Sequence, residues 1–385
     1  MKGFPERVKN VPTTIFTEIG RYAEKVGALK LSQGAPDENP PEWILKIAAG
    51  EYLEGTQQYA PLEGVGTFTK TLSDIYLNHY DMKVSPNNFT VTSGATEAIL
   101  DSILAIVEKD DEVIVFEPFY DSYPVSVRWA GGKVVPYTLR FPEYKIDKTK
   151  LESLITSKTK CMIINNPHNP TGKVFTLEEL VIIRDLCVKY DLYLISDEVY
   201  EYLVFNGIKH IPIASLEGMF ERTVTISSTG KTLNATGWKI GWTMANSILT
   251  ENIRTIHQFN TFSVSTPVQR ALSKVLPKMK NFTDSLCGNL DRNEKYLRTE
   301  IEKLGFVTSP ANSTYFFLAD ISQITDKNGY DFSYELMDKA KVALIPVSGF
   351  YTEHINNGSS LLRFNFGKKI STLEEAVHRL SRYIT

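Results

Sequence analysis

The chain predicts an α/β fold, a mostly parallel central sheet covered by helices on both faces, joined to a smaller α+β unit. Three observations carry this. Short β-rich apolar runs alternate with amphipathic helical patterns from about residue 63 to 245. From about residue 279 the texture changes to a charged helix, then separated strands and a last helix. A chain of 385 residues also exceeds what one compact core ordinarily organises, so two units are expected.

In chain order, the first forty or so residues are rich in turn signals, including Pro36, Pro40 and Pro41, and are expected to pack with the C-terminal unit. That makes the small domain discontinuous, 1–43 with 279–385, around a large domain at 44–278. Strand patterns follow at 89–92, 112–116, 160–164 and 193–196, with helical patterns such as 97–108 and 176–190 between them. Beyond these come a charged helix from Leu290 to Leu304, strands at 314–320 and 361–366, and a helix from about 372. No internal repeat, low-complexity tract or flexible linker interrupts the pattern.

Composition narrows the class of function. With 42% hydrophobic and 23% charged residues the chain reads as ordinary soluble protein, and a net charge of -3 gives no reason to expect nucleic acid or an anionic membrane as partner. Three scattered cysteines (Cys161, Cys187, Cys287) argue against a disulfide framework and suit a reducing compartment. No signal-type or membrane-spanning apolar run is present, so the cytoplasm is the expected location. The six histidines lack zinc-type spacing, and no metal is expected.

Ligands of parallel sheets gather beyond the carboxyl ends of the strands, and the polar residues of this chain cluster there. Thr92-Ser93-Gly94-Ala95-Thr96-Glu97 joins a strand to a helix, whose free N–H groups and dipole suit an anion. The same Ser93, Thr96 and Glu97 would also serve as a capping box. Asn165-Asn166-Pro167-His168-Asn169-Pro170-Thr171-Gly172 is a rigid turn in which Asn169 can both donate and accept hydrogen bonds. Ser196-Asp197-Glu198-Val199-Tyr200 ends another apolar run. Asp197 there could keep a ring nitrogen protonated or cap a helix, and Tyr200 could reach the same side of a helical turn. Ser228-Thr229-Gly230-Lys231-Thr232, with Lys239 close behind, sets an amine among hydroxyls and a second cation. A lone lysine is ordinarily solvated, but an amine that condenses with a phosphate-bearing aldehyde needs this company. Pyridoxal 5′-phosphate meets both demands. Arg363, inside the apolar run Leu361-Leu362-Arg363-Phe364, is either in a structural salt bridge or a fork for a carboxylate.

Jointly and in this order these motifs resemble the class I/II aminotransferases of the pyridoxal-phosphate fold type I. Thr236-Gly237-Trp238-Lys239-Ile240-Gly241-Trp242, Leu31-Ser32-Gln33-Gly34-Ala35-Pro36-Asp37 and the 257–267 segment are similar to the methionine aminotransferase and kynurenine/glutamine transaminase branch. The resemblance implies that Lys231 carries the cofactor and that Asp197 faces its ring nitrogen. Tyr200 and Asn169 would hydrogen-bond its phenolic oxygen, and Tyr120, with Phe119 as alternative, would stack on the ring. Gly94, Ala95, Thr96, Ser228 and Lys239 would hold the phosphate, joined by Tyr59 of a neighbouring subunit in a homodimer. Arg363, Asn169 and Gly34 would bind the substrate carboxylate, with Ile15 and Phe262 lining the side-chain pocket. Where many relatives have Phe-Pro-Asp-Phe, this chain has Ala35-Pro36-Asp37-Glu38. The expected activity is ping-pong transfer of an amino group from an apolar, sulfur-containing, aromatic or glutamine-like amino acid to a 2-oxo acid. Carbon–sulfur β-elimination on the same fold is the nearer alternative, and a non-catalytic cofactor-binding regulator the farther one.

Overall fold

The computed structural model describes residues 5, 8–9, 13–34, 36–352 and 358–384. Its strands are β1 (Leu29–Lys30), β2 (Phe89–Thr92), β3 (Glu112–Glu117), β4 (Lys133–Thr138), β5 (Thr159–Asn165), β6 (Tyr193–Asp197), β7 (Thr223–Ser228), β8 (Gly241–Met244), β9 (Val307–Thr308), β10 (Phe316–Asp320), β11 (Val342–Ala343), β12 (Ile345–Pro346) and β13 (Leu361–Asn365). The helices are α1 (Ile15–Val26), α2 (Glu42–Glu54), α3 (Gly66–Tyr80), α4 (Gly94–Ile106), α5 (Ser122–Trp129), α6 (Lys148–Glu152), α7 (Leu177–Lys189), α8 (Thr229–Thr232), α9 (Ser247–Asn260), α10 (Thr266–Val275), α11 (Lys280–Glu302), α12 (Gly329–Glu335) and α13 (Ile370–Ile384).

Among the described residues a seven-stranded sheet has the order β2-β8-β7-β6-β5-β3-β4. Its strands run parallel except β8, which is antiparallel to both β2 and β7. The central strands β5 and β6 are apolar and almost wholly buried, as a sheet covered on both faces requires. Pro136 lies in β4, at the edge, where a missing ladder N–H is tolerated. Register brings the strand ends level: Asn165 pairs with Asp197, and Asp197 with Ile226. The loops after β2, β3, β5, β6 and β7 therefore open on one edge of the sheet.

A second sheet, order β12-β13-β10-β9, is antiparallel, with Phe317 of β10 stacked between Phe364 and Phe366 at 5.5 and 6.0 Å. The N-terminal segment joins this half of the molecule: β1 pairs in parallel with β11. Helix α11 starts at Lys280, ten residues before the sequence pattern suggests. Its first turns are rich in Asn, Thr, Asp and Ser, weak helix formers, but burial of Thr283 and Leu286 holds them helical. No described helix is long and apolar enough to cross a membrane.

Candidate active site

A cavity of about 690 Å³ lies at the carboxyl ends of the parallel strands, between the two sheets. At one end β2 turns into α4 through Gly94, whose φ of +74° is strained for any side chain. A Cβ there would also lie 3.4 Å from Lys239 Cε and Nζ. The backbone of Gly241 presses on the same turn, since a Cβ on it would fall 2.7 Å from Gly94 C and 2.8 Å from Ala95 N. The expected capping box is half right. Glu97 accepts the Ser93 backbone N–H, but the Ser93 hydroxyl caps nothing. With ψ at 65° rather than extended, Ser93 does not swing its oxygen over the first turn. Ala95, Thr96, Ser228 and Lys239 line this end of the cavity.

The middle of the cavity holds the amine and the acid. Lys231, on the short α8 after β7, donates from Nζ to the Gly34 carbonyl at 2.8 Å, and Nζ stands 5.6 Å from the Tyr200 ring centre. Burial, with help from the Arg363 and Lys239 charges and against the pull of Asp197, lowers its pKa to about 8. Asp197, the last residue of β6, is buried. It accepts the Tyr123 hydroxyl at 2.6 Å and the Val199 N–H at 3.3 Å. Burial is the chief cause of its pKa rising to about 6, against the lowering effect of those two bonds. The residues after Asp197 form turns, not the helix expected for Tyr200, so Asp197 caps the turn rather than a helix. Tyr200 is nonetheless buried on the cavity wall, which Tyr120 also lines. Phe119, the alternative to Tyr120, is packed in the apolar core.

At the other end stands Arg363, on β13, 1% exposed. Its guanidinium carbon is 3.9 Å from the Phe316 ring centre and 5.0 Å from that of Phe16. Nη1 donates to Asn169 Oδ1 at 2.9 Å and Nη2 to the Ser32 carbonyl at 2.8 Å, while Nε has no described partner. No described carboxylate lies within 4 Å, so the structural salt bridge is not what holds it. Burial lowers its pKa to about 10, against the opposing influence of Tyr200 and Asp121. Asn169 is itself fixed by its N–H on Asn165 Oδ1 at 2.7 Å.

The structure thus gathers Lys231, Asp197, Tyr200, Tyr120, Asn169, Arg363, Gly34, Gly94, Ala95, Thr96, Ser228 and Lys239 on one cavity. Three of the expected residues lie off it. Ile15 packs against the core cluster, and its neighbours Thr14, Phe16 and Thr17 face the cavity instead. One residue of phase turns a helical side chain by about 100°, which apolar Ile15-Phe16 does not reveal. Tyr59 and Phe262 are 84% and 45% exposed, with rings 5.7 Å apart edge to face. Ala35, the first residue of the departure at the entrance, is outside the described residues. Asp37 is tied to Lys368 at 2.9 Å. Sequence reasoning missed Tyr123, Asn165, Ser32, Phe16 and Phe316. Asn165 could have been found, as the first polar residue at the end of β5. The Tyr123–Asp197 bond spans 74 residues and leaves no local signal.

Residues 26–380 match the family model described as aminotransferase class I and II. The chain is 36% identical to a probable N-succinyldiaminopimelate aminotransferase of Mycobacterium tuberculosis, over 97% of each chain. It is 36% identical to kynurenine–oxoglutarate transaminase 3 of Bos taurus, over 96% of this chain and 88% of that one. With the methionine aminotransferase of Escherichia coli (strain K12) it shares 33% over 97% of each. The solved structure of an N-succinyldiaminopimelate aminotransferase from Mycobacterium tuberculosis is similar with a TM-score of 0.96 at 35% identity, covering 99% of this chain and 100% of that one. Likeness of this degree, running through nearly the whole chain, makes the protein a member of the aminotransferase class I and II family, a transaminase of fold type I with pyridoxal 5′-phosphate as its cofactor.

Proposed function

We propose that this enzyme moves the amino group of an apolar, sulfur-containing, aromatic or glutamine-like L-amino acid to a 2-oxo acid in two half-reactions of a ping-pong cycle. The observation that carries the reading is the convergence on one cavity of an amine, a buried acid and a buried arginine with no described carboxylate partner. Those residues fit the family's cofactor. A carboxylate that burial disfavours gains the cation it lacks from a protonated ring nitrogen. The uncapped first turn of α4, with Lys239 beside it, suits a phosphate. When bound, the cofactor supplies an aldehyde that takes up the amino group and a ring that accepts the electron pair left as the substrate Cα–H bond breaks.

Each side chain then has a task. Arg363 binds the substrate α-carboxylate through its fork, a charge-assisted contact that offsets the cost of burying an unpaired guanidinium. Asn169 orients Arg363 and, with the Tyr200 hydroxyl, binds the cofactor's phenolic oxygen. Tyr120 stacks on the ring, and Asp197, steadied by Tyr123, keeps the ring nitrogen protonated. Gly94, Ala95, Thr96, Ser228 and Lys239 hold the phosphate. Lys231, uncharged for part of the time near neutral pH, would act as general base toward the proton on the substrate Cα and hold it on Nζ for return. We read residues 44–278 as the cofactor-binding domain and 1–43 with 279–385 as the small domain that brings Arg363. The exposed Tyr59 and Phe262 support a homodimer in which each reaches the partner's cavity, Tyr59 toward the phosphate and Phe262 toward the substrate side chain. Unbridged thiols at Cys161, Cys187 and Cys287 support the cytoplasm as location.

A second reading of the substrate has its own support. Arg21 lines the cavity and makes no ion pair with a described residue. It would suit a distal carboxylate, such as that of the substrate named for the Mycobacterium tuberculosis relative. A panel of amino donors, including methionine, glutamine, phenylalanine, kynurenine and an N-succinylated diamino acid, tested against several oxo acids decides between them. Amino transfer by wild type and none by Lys231→Ala is the expected result. Release of pyruvate and ammonia from a cysteine conjugate without amino transfer would replace it with β-elimination.

A further inference from the structure

Behind the phosphate end of the cavity lies a buried ionic cluster with no part in the chemistry above. Glu97 and Asp101, one turn apart on α4, face His257 of α9, and all three are buried. His257 Nδ1 is 2.7 Å from Glu97 Oε1 and 3.7 Å from Asp101 Oδ2. Three such ligand types within reach of one another invite a metal reading. At 2.7 Å the His257 and Glu97 atoms stand at hydrogen-bond distance, the geometry of an ion pair. The cluster is a hydrogen-bonded ion pair. The Asp101 and Glu97 carboxylates outweigh burial and raise the His257 pKa to about 9, while burial raises Asp101. The cluster therefore holds an imidazolium beside ionised Glu97, which burial disfavours but the His257 and Ser93 bonds keep below the usual carboxylate range.

What the cluster touches gives it a role. The second oxygen of Glu97 accepts the N–H of Ser93, the residue that precedes Gly94 and the phosphate-binding turn. On the other side, Asn260 Nδ2 donates to Asp101 Oδ1 at 2.8 Å. The His257 carbonyl accepts the N–H groups of Thr261 at 3.1 Å and Phe262 at 2.8 Å. Phe262 is held there at a φ of +67°, edge-on to Tyr59. The His257 side chain thus anchors the last turn of α9 to the carboxylate that holds the Ser93 N–H, while the main-chain carbonyl of the same residue holds the Thr261–Phe262 segment, whose exposed Phe262 ring lies against Tyr59.

We propose that His257 is a positioning residue that couples the two active sites of the dimer, holding its own phosphate turn through Glu97 and setting the Thr261–Phe262 segment given to the partner. This rests on the dimeric aminotransferase reading above.

The test uses the holoenzyme, its cofactor-free form and mixed dimers. Loss of a hydrogen bond to a charged group is expected to weaken cofactor binding about tenfold in His257→Leu, measured by titrating the cofactor-free protein with pyridoxal 5′-phosphate. His257→Gln, which can still donate to Glu97, should recover most of that loss. In a mixed dimer with Lys231→Ala on one subunit, only the other site turns over. His257→Leu on the live subunit should weaken its cofactor binding with little change in the donor KM. The same change on the Lys231→Ala subunit should raise the donor KM at the live site and spare its cofactor affinity. Asn260→Ala, which leaves the Glu97–Ser93 bond in place, should raise the donor KM alone and serves if His257→Leu does not fold. Identical effects in both mixed dimers, unchanged cofactor affinity in folded His257→Leu, or losses in Leu and Gln variants that merely track lowered melting temperature would each overturn the proposal. A wild type that is monomeric or transfers no amino group would instead overturn the reading beneath it.

Discussion

An amine that must both form a covalent link and carry a proton has to be uncharged for part of the time near neutral pH. Lys231 meets that condition through burial, reinforced by the cations Arg363 and Lys239. In the cofactor-free protein the rate of adduct formation with pyridoxal 5′-phosphate should therefore rise with pH and level off above about 8. Stopped-flow absorbance reads this directly, and a rise centred in the ordinary lysine range would contradict it. Asp197 poses the opposite problem. Its folded pKa of about 6 lies above the ordinary 3.8, so its contribution to stability is full below the lower value and is lost as pH rises through the upper one. Above that window the ionised carboxylate strains the cofactor-free fold. Asp197→Asn should stabilise the cofactor-free protein at pH 7.5, less the loss of one of the two carboxylate hydrogen bonds, while removing most turnover. Unaltered thermal melting in that form would contradict the electrostatic account. These two residues were legible in the sequence because the chemistry demands their types at strand ends. Tyr123 and Phe316 were not, because any aromatic in the core pattern looks the same until the tertiary contacts form.

The elements were legible where the pattern was strong and the site depended on it. The strands β2, β3, β5 and β6 follow their apolar runs to within a residue or two. The strand β7, which leads to Lys231, is two-thirds threonine and serine and has no such run. Helix α1 forms part of the cavity wall, and its phase, which the sequence does not reveal, turns Phe16 rather than Ile15 toward the cavity. It also contains Gly20, buried and on the cavity wall. A glycine inside a helix costs about 1 kcal/mol relative to alanine. A Cβ there would meet only the movable Gln33 Nε2, at 3.3 Å, so packing does not forbid a side chain. The missing side chain leaves room. Gly20→Leu should lower kcat/KM for aromatic and long donors about tenfold relative to alanine, without loss of melting temperature. An equal loss for every donor would show that Gly20 does not shape the pocket.

At the scale of the molecule, the cavity needs both sheets. Arg363 comes from the smaller one, Asn169 and Lys231 from segments that follow β5 and β7 of the larger, and Gly34 ties the N-terminal segment to the amine. Register explains why the pieces meet: Asn165 and Asp197 end level on adjacent strands. The sequence offered the alternation that predicts such an edge, but not which distant segments close it, since pairing is fixed by packing across hundreds of residues. In the proposed homodimer Tyr59 and Phe262 would extend the same logic to a second subunit, because exposed aromatics gain by burial. Sedimentation should give twice the mass of one chain, and Tyr59→Ala should weaken both cofactor binding and association. In the proposed mechanism every other residue's task depends on Lys231 as the covalent anchor of the cofactor. Borohydride reduction of the holoenzyme, digestion and peptide mass spectrometry test this directly. The prediction is a reduced pyridoxal phosphate adduct on the peptide containing Lys231. An adduct on another lysine, or none, would contradict it.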